Sequence, residues 1–206
     1  MKIILQLGMI VGLILIFAVL TGIGQTTLSP GDIAITGVNM DNPDEISLVF
    51  LIDIEIGTEI KFTDNGWKAN NTWRTGEGIH SWTASGAYAA GDEIIILLNG
   101  PLLSGSGDQV IAYQNTSDMV AALNDEGNHV WQSDATSSNT SALPLGLING
   151  TNCVALDEID NAVYNRSITA GTKEEILTAI NDYTNWSGDD ATRQTLSTGG
   201  FTQLQM

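Results

Sequence analysis

From Pro30 onward, apolar and polar side chains alternate in short runs. Asp32-Ile33-Ala34-Ile35-Thr36 alternates, and so does Glu59-Ile60-Lys61-Phe62-Thr63. Ile46, Leu48, Phe50 and Ile52 fall on one side of a pleat, against Ser47, Val49, Leu51 and Asp53. A period of two over four to eight residues predicts half-buried β-strands. The same reading predicts strands at Ile79–Thr83, Glu93–Leu98, Gln109–Tyr113, Met119–Leu123, Cys153–Leu156 and Ala162–Tyr164. Turn-forming residues separate nearly all of them.

One local signal recurs. Gly31-Asp32, Gly91-Asp92 and Gly107-Asp108 each stand just before a strand, and Gly57-Thr58 does the same. Glycine permits a positive φ in the turn, and the short Asp or Thr side chain can bond nearby backbone groups. These aspartates are therefore read as structural. Thr172-Lys173-Glu174-Glu175 reads as a capping box, and Ile176, Leu177, Ile180 and Tyr183 then fall on one helical face. That predicts one late helix, ending near Tyr183–Trp186. The expected fold class is all-β: a β-sandwich of about eight or nine short strands with one C-terminal helix packed on it. Residues 25–30 read as a short arm and 31–206 as a single domain. Ser133–Leu143, the longest polar stretch, reads as a surface loop.

The chain opens differently. Lys2 is the only charge before Asp32, and Ile3–Ile23 is almost unbroken apolar sequence. A basic start, an apolar run and the small residues Gly22 and Gly24 describe a secretory signal cleaved before Gln25. The competing reading is an uncleaved anchor, since ~20 apolar residues span a bilayer. Both readings of Met1–Gly24 place the body outside the cytoplasm, secreted or at the cell surface. No sorting module is legible near Met206, so surface retention would fall to the leader or to partners.

Charge then narrows the partners. There are 24 acidic against 7 basic residues, a net charge of −17. Nucleic-acid phosphates need Lys and Arg, so nucleic acid is excluded as a partner. Membrane contact is expected only through Met1–Gly24 if it stays uncleaved. A single cysteine, Cys153 in an apolar run, excludes an internal disulfide and reads as a buried thiol.

Several motifs together resemble a family of secreted bacterial modules. They are Gly31-Asp32-Ile33-Ala34-Ile35-Thr36-Gly37-Val38-Asn39, Phe62-Thr63-Asp64-Asn65-Gly66-Trp67 and Ser106-Gly107-Asp108-Gln109-Val110. The similarity continues through Ser137–Pro144, Asp160-Asn161-Ala162-Val163-Tyr164-Asn165 and Asn185-Trp186. The resemblance implies a β-sandwich loosely similar to the lamin-tail fold. It implies no established activity, so no catalytic residues are carried over.

Candidate chemistry is sparse. Asp41-Asn42-Pro43-Asp44-Glu45 gathers carboxylates in one turn, and calcium takes 6–8 oxygen ligands. Asp41, Asp44 and Glu45 are thus candidate calcium ligands; the alternative is a solvated turn bent by Pro43. Asp157–Asn161 and Gly188–Asp190 are weaker versions of the same pattern. Trp67, Trp73, Trp82, Trp131 and Trp186 are many indoles for an acidic β-domain. Trp73, in a polar stretch, is the best candidate for an exposed ring that stacks on a sugar. Trp67 follows an Asn-Gly turn and either plugs one end of the sandwich or lies on the surface. Trp82 reads as core. No two tryptophans are visibly paired on one strand face. His80 and His129 are the only histidines, and no nucleophile pattern accompanies them. Six Asn-x-Ser/Thr sites, at Asn70, Asn115, Asn139, Asn149, Asn165 and Asn185, are possible glycan acceptors in an exported protein.

The expected function is an extracellular, non-enzymatic surface or adhesion module that binds a cell-surface glycan or protein. A carbohydrate-binding module and a hydrolase of unidentified type are the alternatives.

Overall fold

The structure is a computed structural model that describes residues 24–100 and 103–204. The leader, apart from Gly24, lies outside the described residues. No helix among them is long and apolar enough to cross a membrane.

Two five-stranded sheets form the body. In the first, β11 (Trp186–Asp189), β9 (Asn161–Tyr164), β1 (Ile33–Asn39), β2 (Glu45–Phe50) and β5 (Glu93–Leu97) lie side by side in that order. All its pairings are antiparallel. In the second the order is β4 (Ile79–Thr83), β3 (Glu59–Thr63), β6 (Gln109–Gln114), β7 (Asp118–Asn124) and β8 (Val154–Ala155). Only its last pair is parallel. β10 (Ala170–Gly171) and β12 (Thr202–Gln203) make a small parallel ribbon beside them. The β-sandwich with a single helix is as expected.

The recurring Gly-Asp signal has one geometry. Gly31, Gly57, Gly91 and Gly107 all hold φ between 83° and 100°. After three of them the Asp carboxylate folds back to accept a backbone N–H: Asp32 from Ser29 (2.6 Å), Asp92 from Ala89 (2.8 Å) and Asp108 from Ser104 (2.8 Å). Thr58 inverts the polarity, donating its hydroxyl to the Glu55 carbonyl at 2.7 Å. Each device satisfies a turn that would otherwise leave backbone groups unpaired at a strand start.

Three apolar clusters hold the layers. The largest lies between the sheets and includes Ile33, Phe50, Ile60, Phe62 and Leu123. A second lies on the outer face of the first sheet. There Ala34, Val49, Leu51 and Tyr164 meet Ile176, Leu177 and Ile180 of helix α1 (Lys173–Ile180), together with Phe201. A third lies on the outer face of the second sheet, where Ile111, Tyr113, Met119 and Ala122 meet Trp67, Leu147 and Cys153. Because both faces are covered, β1 and β6 are buried throughout rather than half-buried. Clean alternation survives in the edge strand β4.

Two expectations are corrected. The helix ends at Ile180, because the Asn181 side chain donates to the Leu177 carbonyl (2.8 Å) and closes the last turn. Residues Tyr183–Asn185 form a single 3-10 turn, and Trp186 begins a strand. The polar Ser133–Leu143 stretch is not all surface: Ala135, Ser141 and Ala142 are buried, and the Ser141 hydroxyl accepts from the Trp67 N–H (2.9 Å).

Candidate functional site: an aromatic groove

The chain leaves β3 at Thr63 and returns at Ile79. Between them, residues 66–74 double back as a small hairpin on the outer face of the second sheet. The Lys68 N–H donates to the Thr72 carbonyl (2.9 Å) and the Arg74 N–H to Gly66 (2.8 Å). Asn71 turns the tip with φ 61°, a conformation that Asn tolerates. Gly66 must lack a side chain, since a Cβ there would stand 2.3 Å from the Thr140 carbonyl oxygen. The Asn-Gly pair therefore serves close packing of the hairpin against the 139–142 segment.

This hairpin pairs two tryptophans that the sequence did not show as paired. Trp67 and Trp73 form an antiparallel bridge, with ring centroids 4.9 Å apart at 85°. Trp73 in turn lies 5.0 Å from the Tyr113 ring of β6. The Trp73 indole N–H donates to the Thr116 carbonyl (2.9 Å), which fixes its orientation. Trp67 is only 4 % exposed, so it plugs the outer face of a sheet rather than an end of the sandwich. It cannot touch a ligand; it backs Trp73. Trp73 is half-buried and rigid rather than freely exposed.

Trp73 and Tyr113 wall a groove of about 250 Å³, completed by Thr63, Asn65, Arg74, Thr75, Gly76, Glu77 and Ile79. Arg74 and Glu77 are ion-paired on its rim. Asn65 accepts from the Glu77 N–H (3.2 Å) and donates to the Gly78 carbonyl (3.2 Å). Burial raises the Glu77 carboxyl above its usual range, opposed by the Arg74 charge and reinforced by Asp64. The groove thus combines flat apolar walls with a fixed cation, an acid and an amide, the composition of a small-molecule binding cleft. Tyr113, Arg74 and Glu77 were not singled out from the sequence as site residues, and Asn65 was read only as part of a turn. The only signal was that Tyr113 shares a pleat face with Ile111, two residues before it.

The other candidates are dispersed. Asp41 Oδ2 accepts from the Asn161 side chain (2.8 Å), Asp44 Oδ2 from the Leu103 N–H (2.8 Å), and Glu45 from Asn39 (3.2 Å) while pairing with Arg193. These three carboxylates point to three different places instead of sharing one ion. Asp44 is nearly buried, because its backbone carbonyl and carboxylate tie Leu98 and Leu103 to the turn. Among the described residues, no group of three or more His, Cys, Asp and Glu side chains is closed up as a metal-holding set. His80 Nδ1 accepts from the Asn99 N–H (3.2 Å). His129 lies 3.0 Å from Asp157 and stacks on Tyr183 at 3.7 Å. Burial pushes the Cys153 thiol up to about 12, so it is not a nucleophile at neutral pH.

At the end of the second sheet, Asp108 and Asp125 are buried beside each other, the Asp108 N–H donating to the Asp125 carboxylate. Burial carries Asp108 up to about 8, against three N–H donors that favour its charge. Burial likewise raises Asp125 well above the carboxylate range, with Asp108 and Glu158 adding repulsion.

Comparison with known protein families, curated proteins and solved structures finds no match to this chain.

Proposed function

We propose that the protein is an extracellular, non-enzymatic binding module and that the Trp73–Tyr113 groove is its contact surface for a saccharide. The observation that carries this reading is the rigid aromatic wall itself. A sugar ring offers an apolar C–H face and a rim of hydroxyls. Trp73, 4.9 Å from Trp67 and 5.0 Å from the buried Tyr113 ring, matches the face, while Arg74 and Glu77 match the rim. Because the Trp73 N–H is already bonded and its ring is backed by Trp67, little side-chain entropy is lost on binding. The apolar leader and the resemblance to secreted modules support an extracellular setting, and surface adhesion would be the biological use of such a groove.

The test is a glycan array run with the natural chain and with Trp73→Ala. An aromatic anchor is worth ~2 kcal/mol or more in an interface, so the variant should lose at least ~tenfold in affinity. Identical binding by both proteins would remove the groove as the contact surface. Fractionating cells that express a tagged copy tests the location, and a purely cytosolic tag would end the extracellular part.

A further inference from the structure

Among the described residues that line the Trp73 groove, Arg74 and Glu77 alone are charged, and they are charged oppositely. Arg74 Nη1 donates to Glu77 Oε1. The acid is held in place from behind. Its own N–H donates to Asn65 Oδ1 (3.2 Å), and the N–H of the next residue, Gly78, donates to Asp64 Oδ1 (2.9 Å). The Gly78 carbonyl accepts from the Thr63 hydroxyl (2.6 Å) and from Asn65 Nδ2 (3.2 Å). Asp64, only 2 % exposed, adds a second negative charge that Glu77 feels. Lys61, opposite Tyr113 in the ladder, does not line the groove; it faces Glu59 (3.9 Å) and the Asn115 carbonyl (3.5 Å).

These contacts leave a ligand little charge to meet. Thr63 and Asn65 commit their polar atoms to the turn around Gly78. What remains open is the Trp73 ring, the exposed Ile79 side chain, the Thr75 hydroxyl and Arg74, whose side chain is 28 % exposed. A guanidinium has five N–H donors, so donors are left after the bond to Glu77. An anion drawn to Arg74 is repelled by Glu77 beside it and by Asp64 behind, and opposite charges this close largely cancel. A cationic sugar meets the converse cancellation. The chain as a whole, at −17, repels polyanions further. A hydroxyl is donor and acceptor at once and brings no net charge, so it can bond the Arg74 donors without that opposition.

On the reading that the Trp73 groove holds a saccharide, we propose that its ligand is an uncharged sugar and that Glu77 sets this selectivity by neutralising Arg74. Specificity is a difference of affinities, and a paired cation creates one by withholding the attraction that a uronate or sulfate would need. Trp73 and Ile79 supply apolar contact to either class of sugar, so the ion pair is what tells them apart.

The test is titration calorimetry and a glycan array with the full-length chain, using oligosaccharides of matched length: neutral glucans, xylans and mannans, uronate oligomers, and sulfated chains. Neutral members should bind at least ~tenfold more tightly than anionic ones. Their affinity should change less than ~twofold between ~0.05 and ~0.3 M sodium chloride, since the ligand brings no charge to be screened. Glu77→Gln releases Arg74 and should raise affinity for uronate oligomers at least ~fivefold. The array and the salt series on the natural chain decide the question even where that variant does not fold. Trp73-dependent binding that favours uronates, sulfates or amino sugars, or that falls steeply with salt, would overturn the selectivity and leave the groove standing. Binding that survives Trp73→Ala, or no binding to any member, would remove the groove reading and the selectivity with it.

Discussion

The two outer faces of the sandwich are closed in different ways. On the first sheet, α1 lays one continuous apolar stripe over Ala34, Val49 and Leu51, and the chain from Arg193 to Gln203 crosses beside it. That second stretch is clasped by charge: Arg166 bonds Glu93 (2.9 Å), Ser197 (3.1 Å) and the Gly200 carbonyl (2.6 Å), and lies over the Phe201 ring. On the second sheet no helix among the described residues does the covering. Indole-bearing loops do the covering, and hydrogen bonds to distant segments hold them: the Trp67 N–H donates to the Ser141 hydroxyl, and the Trp73 indole N–H to the Thr116 carbonyl. A helix satisfies its own backbone, so it can lie flush on a sheet and seal it. Loops must find partners one group at a time, and the aromatic groove lies in the gap they leave.

Perturbing each cover separates the two modes. Trp67→Ala should have the largest effect, since it removes the ring that joins the hairpin to Ile111, Met119 and Cys153. A loss of ~3–5 kcal/mol in urea unfolding is expected, with loss of saccharide binding. An effect under about 1 kcal/mol would mean the loops are not held by this ring. Arg166→Ala comes next. It leaves the Glu93 side chain, which is 0 % exposed, without its cation. Because the Arg166 side chain is itself 31 % exposed, the cost should lie near ~3 kcal/mol, the lower end for a broken buried pair, with the groove still competent.

A pH scan probes the sheet ends between the two covers. In the folded chain Asp108 keeps its proton up to about 8, whereas its ordinary value is 3.8, and Asp125 is raised in the same direction. Folding therefore takes up protons between these values, and stability falls as pH rises through that window. In chelator, Tm should be higher near about pH 5 than near about pH 8, and a Tm rising with pH would contradict the burial of these acids. The smallest effect belongs to the helix cap. Thr172→Ala removes the hydroxyl that accepts from the Glu175 N–H (3.2 Å) and should cost ~1 kcal/mol, without altering the groove.

Comparing these regions also shows what was legible along the chain. The strands β1–β9, the Gly-Asp turns and the capping box were read in place, because each rests on residues within a few positions of one another, whereas the short strands β10, β11 and β12 were not read. The helix was read as running on to Tyr183–Trp186, because the stop signal at Ile180 is a side-chain bond from Asn181 that no periodicity announces. Trp73 was legible as a candidate but Trp67 was assigned the wrong place. Its burial depends on Ser141, 74 residues away. Tyr113, Arg74 and Glu77 carried no signal of their own.

Local pattern therefore determined the pleated segments, their turns and the one capped helix, since those are settled by backbone sterics and by which side chains can leave water. Strand order and register decided everything that involves contact at a distance. They set two indoles edge to face across a hairpin with Tyr113 beside them, and brought Asn39, Asn161 and Asp189 into one row at the end of the first sheet although they lie far apart along the chain. Groups so far apart meet only when the sheets have already formed, so no stretch of sequence read alone could contain the groove.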